Sequence, residues 1–367
     1  MLTLTPRERM LRVIRGQDVD RVPVTISVGP PGPAPIPSWQ PLHDLVERYE
    51  LDYVSGFVGP RKPQVKPSSE VQRDTNNPDW YELVTTYPTP QGDLTQITRC
   101  SRSGKPGYTL KYLIASVEDA RRWLSLPDPE PPNVGGWAER LAQAGDRALL
   151  RVGIDHPMYE INWRTGSELW AYWMYDEWEL VEELVDRAFR RVLRDLRHYI
   201  AHGCGPLFGW AGPELCIPPL ARVQDFRDFV QRYDEQLFAE VHNAGGLVWV
   251  HCHGNMDPVL EGFIEMGVDC LHPIEPPPVC TAPLTDLKRR TAGRMTLEGG
   301  VESSAFELLP PEEMAAVVEG TMAAGKPGGR FIIAPTSSPG HWPQMSSHIA
   351  ENYRVYVETA MRLAPYM

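Results

Sequence analysis

Histidines recur where predicted strands end, and two of them stand two residues apart in His251-Cys252-His253. Because residues i and i+2 of a strand point to the same face, both imidazoles lie on one side of that strand. Two such imidazoles can share one divalent metal ion at about 2.0–2.1 Å each. The alternative is a metal-free site in which one imidazole bonds a carboxylate and the other lines the pocket. Neighbouring strand ends offer the remaining metal ligands, which are Cys270, Glu275 or Glu298.

Other strand ends carry polar and aromatic side chains that suit catalysis or substrate binding. His156, His272 and Glu298 are the candidates for acid–base chemistry. Glu275 precedes three prolines, which stiffen its loop and suit a carboxylate held in one position. His341 follows the last predicted strand. The predicted substrate-binding residues are Asn162, Trp163, Arg164, Trp210 and Glu214.

Eight short apolar runs would position these residues, and helical patterns lie between most of them. Near-continuous apolar strands that alternate with helices are typical of a parallel sheet. Eight of them predict a closed α/β barrel, the (β/α)8 TIM barrel, with its active site at the carboxyl ends of the strands. An open doubly wound sheet is the alternative, but no GxGxxG motif or P-loop follows any run. The runs are 22–28, 52–58, 148–154, 205–210, 247–252, 268–274, 294–298 and 330–335.

Two further segments flank this pattern. Residues 5–16 predict a helix, with Thr5 as N-cap, Glu8 completing a capping box and Gly16 closing the helix. The stretch 78–146 is an excursion whose first part alternates around a Pro/Gly turn and predicts an inserted β-hairpin. We expect this excursion to cover one mouth of the barrel, so that 1–367 forms a single domain.

Composition excludes several classes of protein. The chain has 367 residues, a net charge of −12 and no basic block, which disfavours a nucleic-acid partner. It has no run of 18 apolar residues, so no membrane span is predicted, and its charged N-terminus does not resemble a signal peptide. Six cysteines without a CxxC pair favour a reducing cytoplasmic location. The expected partner is a small-molecule substrate, and a homo-oligomer stays open.

Four blocks resemble the uroporphyrinogen decarboxylase superfamily, and together they span nearly the whole chain. The first is Thr5-Pro-Arg-Glu-Arg-Met-Leu with Asp20-Arg-Val-Pro. The second is Val250-His-Cys-His-Gly-Asn, followed by Glu265-Met-Gly-Val-Asp-Cys. The others are Thr296-Leu-Glu-Gly-Gly and Gly329-Arg-Phe-Ile-Ile-Ala-Pro. The resemblance independently implies a TIM barrel.

The superfamily has two branches, and they imply different activities. True uroporphyrinogen decarboxylases carry an Arg-rich N-terminal motif, whereas 21–37 here is Pro/Gly-rich. Corrinoid-dependent methyltransferases bind zinc through His-x-Cys on the fifth strand and a Cys after the last strand. In this chain His251 matches the first ligand, His253 stands at the Cys position, and 336–338 contains no Cys. The resemblance therefore implies the methyltransferase branch with a zinc site rich in nitrogen and oxygen ligands.

Three functions follow from these observations. The leading hypothesis is a metal-assisted methyltransferase or demethylase, with zinc on His251 and His253 and a methyl group passing between a small substrate and a corrinoid protein. The second is a metal-independent decarboxylase that uses Asp155, His156 and His272. The third is a non-catalytic barrel that binds a corrinoid or an aromatic ligand.

Overall fold

The computed structural model describes residues 3–340 and 343–366, so His341 lies outside the described residues. Its strands are β1 (Val54–Phe57), β2 (Ser69–Asp74), β3 (Trp80–Tyr87), β4 (Leu94–Ser101), β5 (Tyr108–Lys111), β6 (Leu149–Gly153), β7 (Leu207–Ala211), β8 (Leu247–His251), β9 (Cys270–Ile274), β10 (Thr296–Val301) and β11 (Phe331–Pro335).

Helices lie between most of the later strands. They are α1 (Pro6–Arg15), α2 (Gln40–Arg48), α3 (Val117–Leu124), α4 (Trp137–Ala144), α5 (Pro157–Thr165), α6 (Ser167–Asp176), α7 (Trp178–Ala201), α8 (Val223–Phe226), α9 (Arg232–Asn243), α10 (Leu260–Glu265), α11 (Leu284–Thr291), α12 (Ser303–Leu308), α13 (Pro311–Gly325) and α14 (Ser347–Leu363). Among the described residues, no helix combines the length and the apolar character that a membrane span requires.

The chain forms two compact units. The first consists of residues 1–58, 134–154 and 199–367, and the second consists of 59–133 and 155–198. Part of the predicted excursion, 134–146, belongs to the first unit, and the rest belongs to the second. The single-domain organisation over 1–367 stays a prediction.

The first unit contains a parallel sheet of seven strands in the order β1-β6-β7-β8-β9-β10-β11. Every residue of β9, β10 and β11 is buried, as expected for parallel strands covered on both faces. This confirms an α/β fold and seven of the eight predicted strands. The remaining run, 22–28, forms a single parallel bridge, in which Val24 pairs with Ile333.

Residues 23–25 nevertheless hydrogen-bond on two sides. The Thr25 N–H donates to the Ile333 carbonyl at 3.1 Å, and the Asp52 N–H donates to the Val24 carbonyl at 3.1 Å. This run therefore links the last strand of the sheet to the residues that lead into β1. Its regular pairing is limited to one bridge, so it is not a strand.

Helix α1 packs at the amino ends of the strands, and its sequence explains its ends. The Glu8 N–H donates to Thr5 Oγ1 and the Thr5 N–H donates to Glu8 Oε2, which is the predicted capping box. Gly16 closes the helix at a φ of 68°. The apolar face packs in one buried cluster, whose members include Met10, Val13, Ile14, Leu149, Leu207, Leu247 and Ile332.

The second unit contains an antiparallel sheet in the order β2-β3-β4-β5. Strands β3 and β4 pair from Trp80 with Ser101 to Tyr87 with Leu94, so the predicted hairpin is present within a larger sheet. The unit also holds a network of charged side chains. Arg191 bonds Asp155 at 3.0 Å, Asp195 at 3.2 Å and also Glu160.

Candidate functional site

Two histidines face each other at the carboxyl end of the parallel sheet. His251 is the last residue of β8, and it pairs in register with His272 of β9. Their Nδ1 atoms are 2.9 Å apart and their rings stack with centroids 5.1 Å apart. Two nitrogens at this distance need one proton between them, so one ring donates and the other accepts.

Both rings of this pair are uncharged at neutral pH. Burial lowers the pKa of His251 to about 4, and the positive charges of His253 and Arg151 act in the same direction. Burial also lowers the pKa of His272 well below its usual range. The accepting ring keeps its own proton on Nε2, so a neutral pair can polarise or position a substrate through a hydrogen bond, but it is not an acid at neutral pH.

A layer of polar side chains contacts the pair on the side that faces the amino ends of the strands. The Trp249 Nε1–H donates to Glu298 Oε2 at 2.8 Å, and the ring stacks on His272 at 5.1 Å. Arg151 lies over the same indole at 3.7 Å from its centroid. Gly209 leaves the room that Arg151 needs, because a Cβ there would lie 2.5 Å from Arg151 Cδ.

His253 has the opposite environment. Its Nδ1 is 3.1 Å from Glu275 Oε1, and its side chain is 38% exposed. The other oxygen of Glu275 accepts from the Gly254 N–H, which fixes the carboxylate. The hydrogen bond to Glu275 raises the pKa of His253, and the charges of Glu275, Glu214 and Glu302 add to this effect against partial burial.

The two histidine systems are adjacent, because the rings of His251 and His253 meet edge to face at 4.6 Å. One group therefore combines an accessible imidazole that favours its protonated form with a buried pair that stays neutral. A titratable pair whose environments push the two pKa values apart is a frequent basis of acid–base catalysis.

Comparison with known proteins agrees with this fold. The family model for uroporphyrinogen decarboxylase (URO-D) matches residues 157–360. The chain belongs to this family. No curated protein matches the chain in sequence.

Solved structures share the architecture at low identity. A methyltransferase from Methanosarcina mazei superposes with a TM-score of 0.58 at 16% identity, covering 98% of each chain. This likeness shows a common fold. A Streptomyces avermitilis chain described as an orotidine 5'-phosphate decarboxylase reaches a TM-score of 0.29 at 16% identity, with 64% of this chain and 94% of that chain covered. This TM-score is too low to show a common fold.

The predicted metal ligands separate into two places. His251, His253 and Glu275 lie in the contacting group at the sheet edge, whereas Cys270 is fully buried with its Sγ 3.6 Å from Glu298 Oε2. Among the described residues, no three His, Cys, Asp or Glu side chains are arranged to hold one metal ion. The four predicted ligands therefore do not fit a zinc centre in this arrangement.

Two predicted residues of the first unit have different surroundings from those expected. Trp210 is 1% exposed and packs edge to face on Phe238 of α9 at 4.9 Å. It lies on the face of β7 opposite Leu207, which belongs to the interior cluster, and its role in substrate binding stays a prediction. Glu214 lies in a short helical turn after β7, where its charge acts on His253.

The catalytic candidates also differ in their environment. Glu298 lies beneath the histidine pair as the acceptor for Trp249, and burial raises its pKa. His272 belongs to the neutral pair. His156 lies in the second unit, where it is buried and its Nδ1 accepts from the Tyr159 N–H at 3.3 Å as the N-cap of α5.

The remaining substrate-binding candidates belong to α5 of the second unit. Asn162 is buried, and no described residue accepts a hydrogen bond from its Nδ2. Trp163 is 67% exposed. Together with Arg164 it lines a cavity of about 250 Å³ whose other walls include Tyr87, Leu113 and Trp123.

Sequence reasoning missed Arg151 and Trp249. Arg151 had a visible signal, since it is a charged residue in the middle of the apolar run 148–154. Trp249 precedes His251 by two residues and therefore shares its face of β8. Applying the two-residue alternation from His251 toward the amino end of β8 would have identified Trp249.

Proposed function

We propose that this protein transfers a methyl group from a small methylated substrate at the carboxyl ends of β8 and β9. The observation that carries the proposal is the His253–Glu275 pair, whose 3.1 Å contact stands beside the neutral His251–His272 pair. Membership of the URO-D family and a fold shared with a methyltransferase support it.

The chemical step requires a proton on the atom that loses the methyl group. The methyl carbon bonds to a nucleophilic acceptor while its bond to the substrate oxygen or nitrogen breaks, and the bonding electrons stay on that heteroatom. His253, protonated and oriented by Glu275, donates its Nε2 proton there. Glu275 stabilises the imidazolium before transfer, as a carboxylate orients histidine in other catalytic pairs.

The neutral pair positions the substrate without competing for that proton. His251 touches His253 and stays uncharged, so it does not add a second positive charge beside it. Trp249 and Glu298 hold the pair from below through the indole hydrogen bond at 2.8 Å.

We further propose a corrinoid, held by a separate protein, as the methyl acceptor. A reduced corrinoid supplies a strong nucleophile for methyl groups.

We also propose that residues 22–26 occupy the eighth position of a barrel, since they hydrogen-bond toward both β11 and the residues before β1. All six cysteines are free thiols, which supports the proposed cytoplasmic location.

The experiment measures methylation of free cob(I)alamin, by its absorbance change, with a panel of methyl ethers and methylamines. We expect His253→Gln to lower kcat by about a hundredfold or more, the usual contribution of a general acid. Glu275→Gln should move the high-pH loss of activity to lower pH, because it removes the group that raises the pKa of His253. The matched control is His242→Gln, since His242 also contacts a carboxylate, Asp269, at 2.9 Å.

An unchanged pH profile in Glu275→Gln would contradict the role of His253. Release of carbon dioxide from a carboxylated substrate, without methyl transfer, would replace the proposal by the decarboxylase hypothesis. Ligand binding without turnover would replace it by the non-catalytic one. Elemental analysis of the purified protein tests zinc separately.

A further inference from the structure

A second cavity lies in the first unit at the amino ends of β10 and β11. Its volume is about 470 Å³, within the range of small-ligand pockets. It opens beside the last turns of α11 and α13, at the other end of the strands from the histidine group. Its lining includes Thr285, Lys288, Arg289, Gly293, Gly328 and Arg330.

Two of its cations have no carboxylate partner. Arg330 donates to the Ile14 carbonyl at 3.3 Å and to the Arg15 carbonyl at 3.2 Å. Lys288 donates to the Gly329 carbonyl. In the described part of the chain neither side chain forms an ion pair, whereas Arg289 pairs with Asp286. A protein with a net charge of −12 thus concentrates unpaired positive charge here.

Backbone carbonyls offset only part of this charge. Each helix C-terminus carries about half a negative charge, so the ends of α1, α11 and α13 together offset less than the two full charges of Lys288 and Arg330. The acidic side chain that acts on Arg330 is Asp269, and it already accepts from His242 and from the Val248 N–H. Burial lowers the pKa of Lys288 to about 8, and the positive charge of Arg330 acts in the same direction.

The mouth of the cavity is open. Gly293 and Gly328 have φ values of 74° and 76°, and a Cβ built on either would meet no atom within 4 Å. A ligand can therefore approach the backbone at these two positions, where a side chain would be strained.

We propose that this cavity binds a phosphate-type oxyanion, with Lys288 as its principal cation. An anion carrying two negative charges would balance Lys288 and Arg330, and Thr285 offers a hydroxyl on the same wall. Charge-assisted hydrogen bonds to such oxygens are about twice as strong as neutral ones. The site is independent of the proposed methyl transfer.

Calorimetric titration with inorganic phosphate and with ribose 5-phosphate tests the proposal. Lys288→Gln should weaken binding about tenfold or more, as expected for loss of a hydrogen bond to a charged group. Lys62→Gln is the control, since Lys62 is 80% exposed and belongs to the second unit, and it should leave the affinity unchanged. Tighter binding of the ester would identify a phosphorylated metabolite, and tighter binding of phosphate would identify the free ion.

Chemical labelling of the unaltered protein provides a second measurement that does not depend on a variant folding. Lys288 should react with trinitrobenzenesulfonate at pH 8 faster than Lys62, and ribose 5-phosphate or phosphate should protect Lys288 alone. Mass spectrometry of the labelled peptides gives both rates. Binding of neither anion, or equal affinity in Lys288→Gln, would overturn the proposal.

Discussion

At the scale of single residues, three histidines separated by short distances have opposite titration behaviour. The cause is the difference in their exposure to solvent and in their hydrogen-bond partners. His251 and His272 bond each other in a buried position, whereas His253 is partly exposed and bonds Glu275. Desolvation therefore favours the neutral form of the first two, and a carboxylate favours the charged form of the third.

This difference predicts how stability depends on pH. The unfolded chain binds protons at His251 and His272 near the usual value of 6.5, while folded His251 does so only at about 4. Stability should therefore fall as pH decreases from 6.5 to 4. His253 acts oppositely, because its stabilising contribution is complete below 6.5 and disappears as pH rises through its higher folded pKa.

We expect His272→Gln to show a smaller loss of stability between pH 6.5 and 4 than the unaltered chain. Glutamine keeps a hydrogen-bonding group but cannot bind a proton in this range. Thermal unfolding, followed by circular dichroism at several pH values, measures this difference. Parallel pH curves for the two proteins would argue against neutral histidines in the folded state.

At the scale of elements, the site depends on how β9 and β10 pair. The register shifts between Leu297 and Gly299, so that Gly299 stands opposite Ile274. Gly299 has a φ of 138°, and a Cβ there would lie 2.5 Å from the Ile274 N atom. Only glycine permits this approach of two backbones, which places Glu298 beneath the histidine pair.

Gly299→Ala should therefore destabilise the first unit by about 1–3 kcal/mol, because backbone atoms cannot move aside as a side chain can. Gly320→Ala is the matched control. Gly320 is exposed in α13, and a Cβ added there would meet no atom within 4 Å, so alanine should raise stability by about 0.5–1 kcal/mol. Urea unfolding measures both, and equal effects would contradict the account of the bulge.

At the scale of the whole molecule, a buried ion network ties distant parts of the first unit together. Asp52 is 1% exposed, and its two oxygens contact Arg9 at 2.7 Å and Arg21 at 2.6 Å. It also accepts from the Val24 N–H at 3.1 Å. One carboxylate thus connects α1, the run 22–28 and the residues that lead into β1.

We expect Asp52→Ala to destabilise the first unit by about 3–5 kcal/mol, because it removes the carboxylate partner of Arg21 and one of the two carboxylates of Arg9, which keeps only Asp20. Glu351→Ala removes a carboxylate from an exposed pair with Arg354 and should change little. Chemical denaturation of both variants gives the comparison. Similar losses in the two would show that the network does not support the fold.

The sequence by itself determined the class of fold and pointed to the strand ends at which the candidate site lies. Local signals suffice for these, since apolar runs alternate with helices, the capping box is contiguous, and residues two apart in a strand share a face. The hairpin within 78–146 followed from the same alternation. The family was also visible, because its motifs are short segments of continuous sequence.

Only the tertiary structure decided which partner each side chain takes. His251 meets His272 because β8 and β9 are neighbours in a given register, and Cys270 lies lower on the same face beside Glu298. Trp210 faces α9 for a similar reason. Such pairings are contacts between residues far apart in the chain, and burial then sets their pKa values. Neither the tertiary partner of a side chain nor its pKa is encoded in the local pattern that predicts a strand.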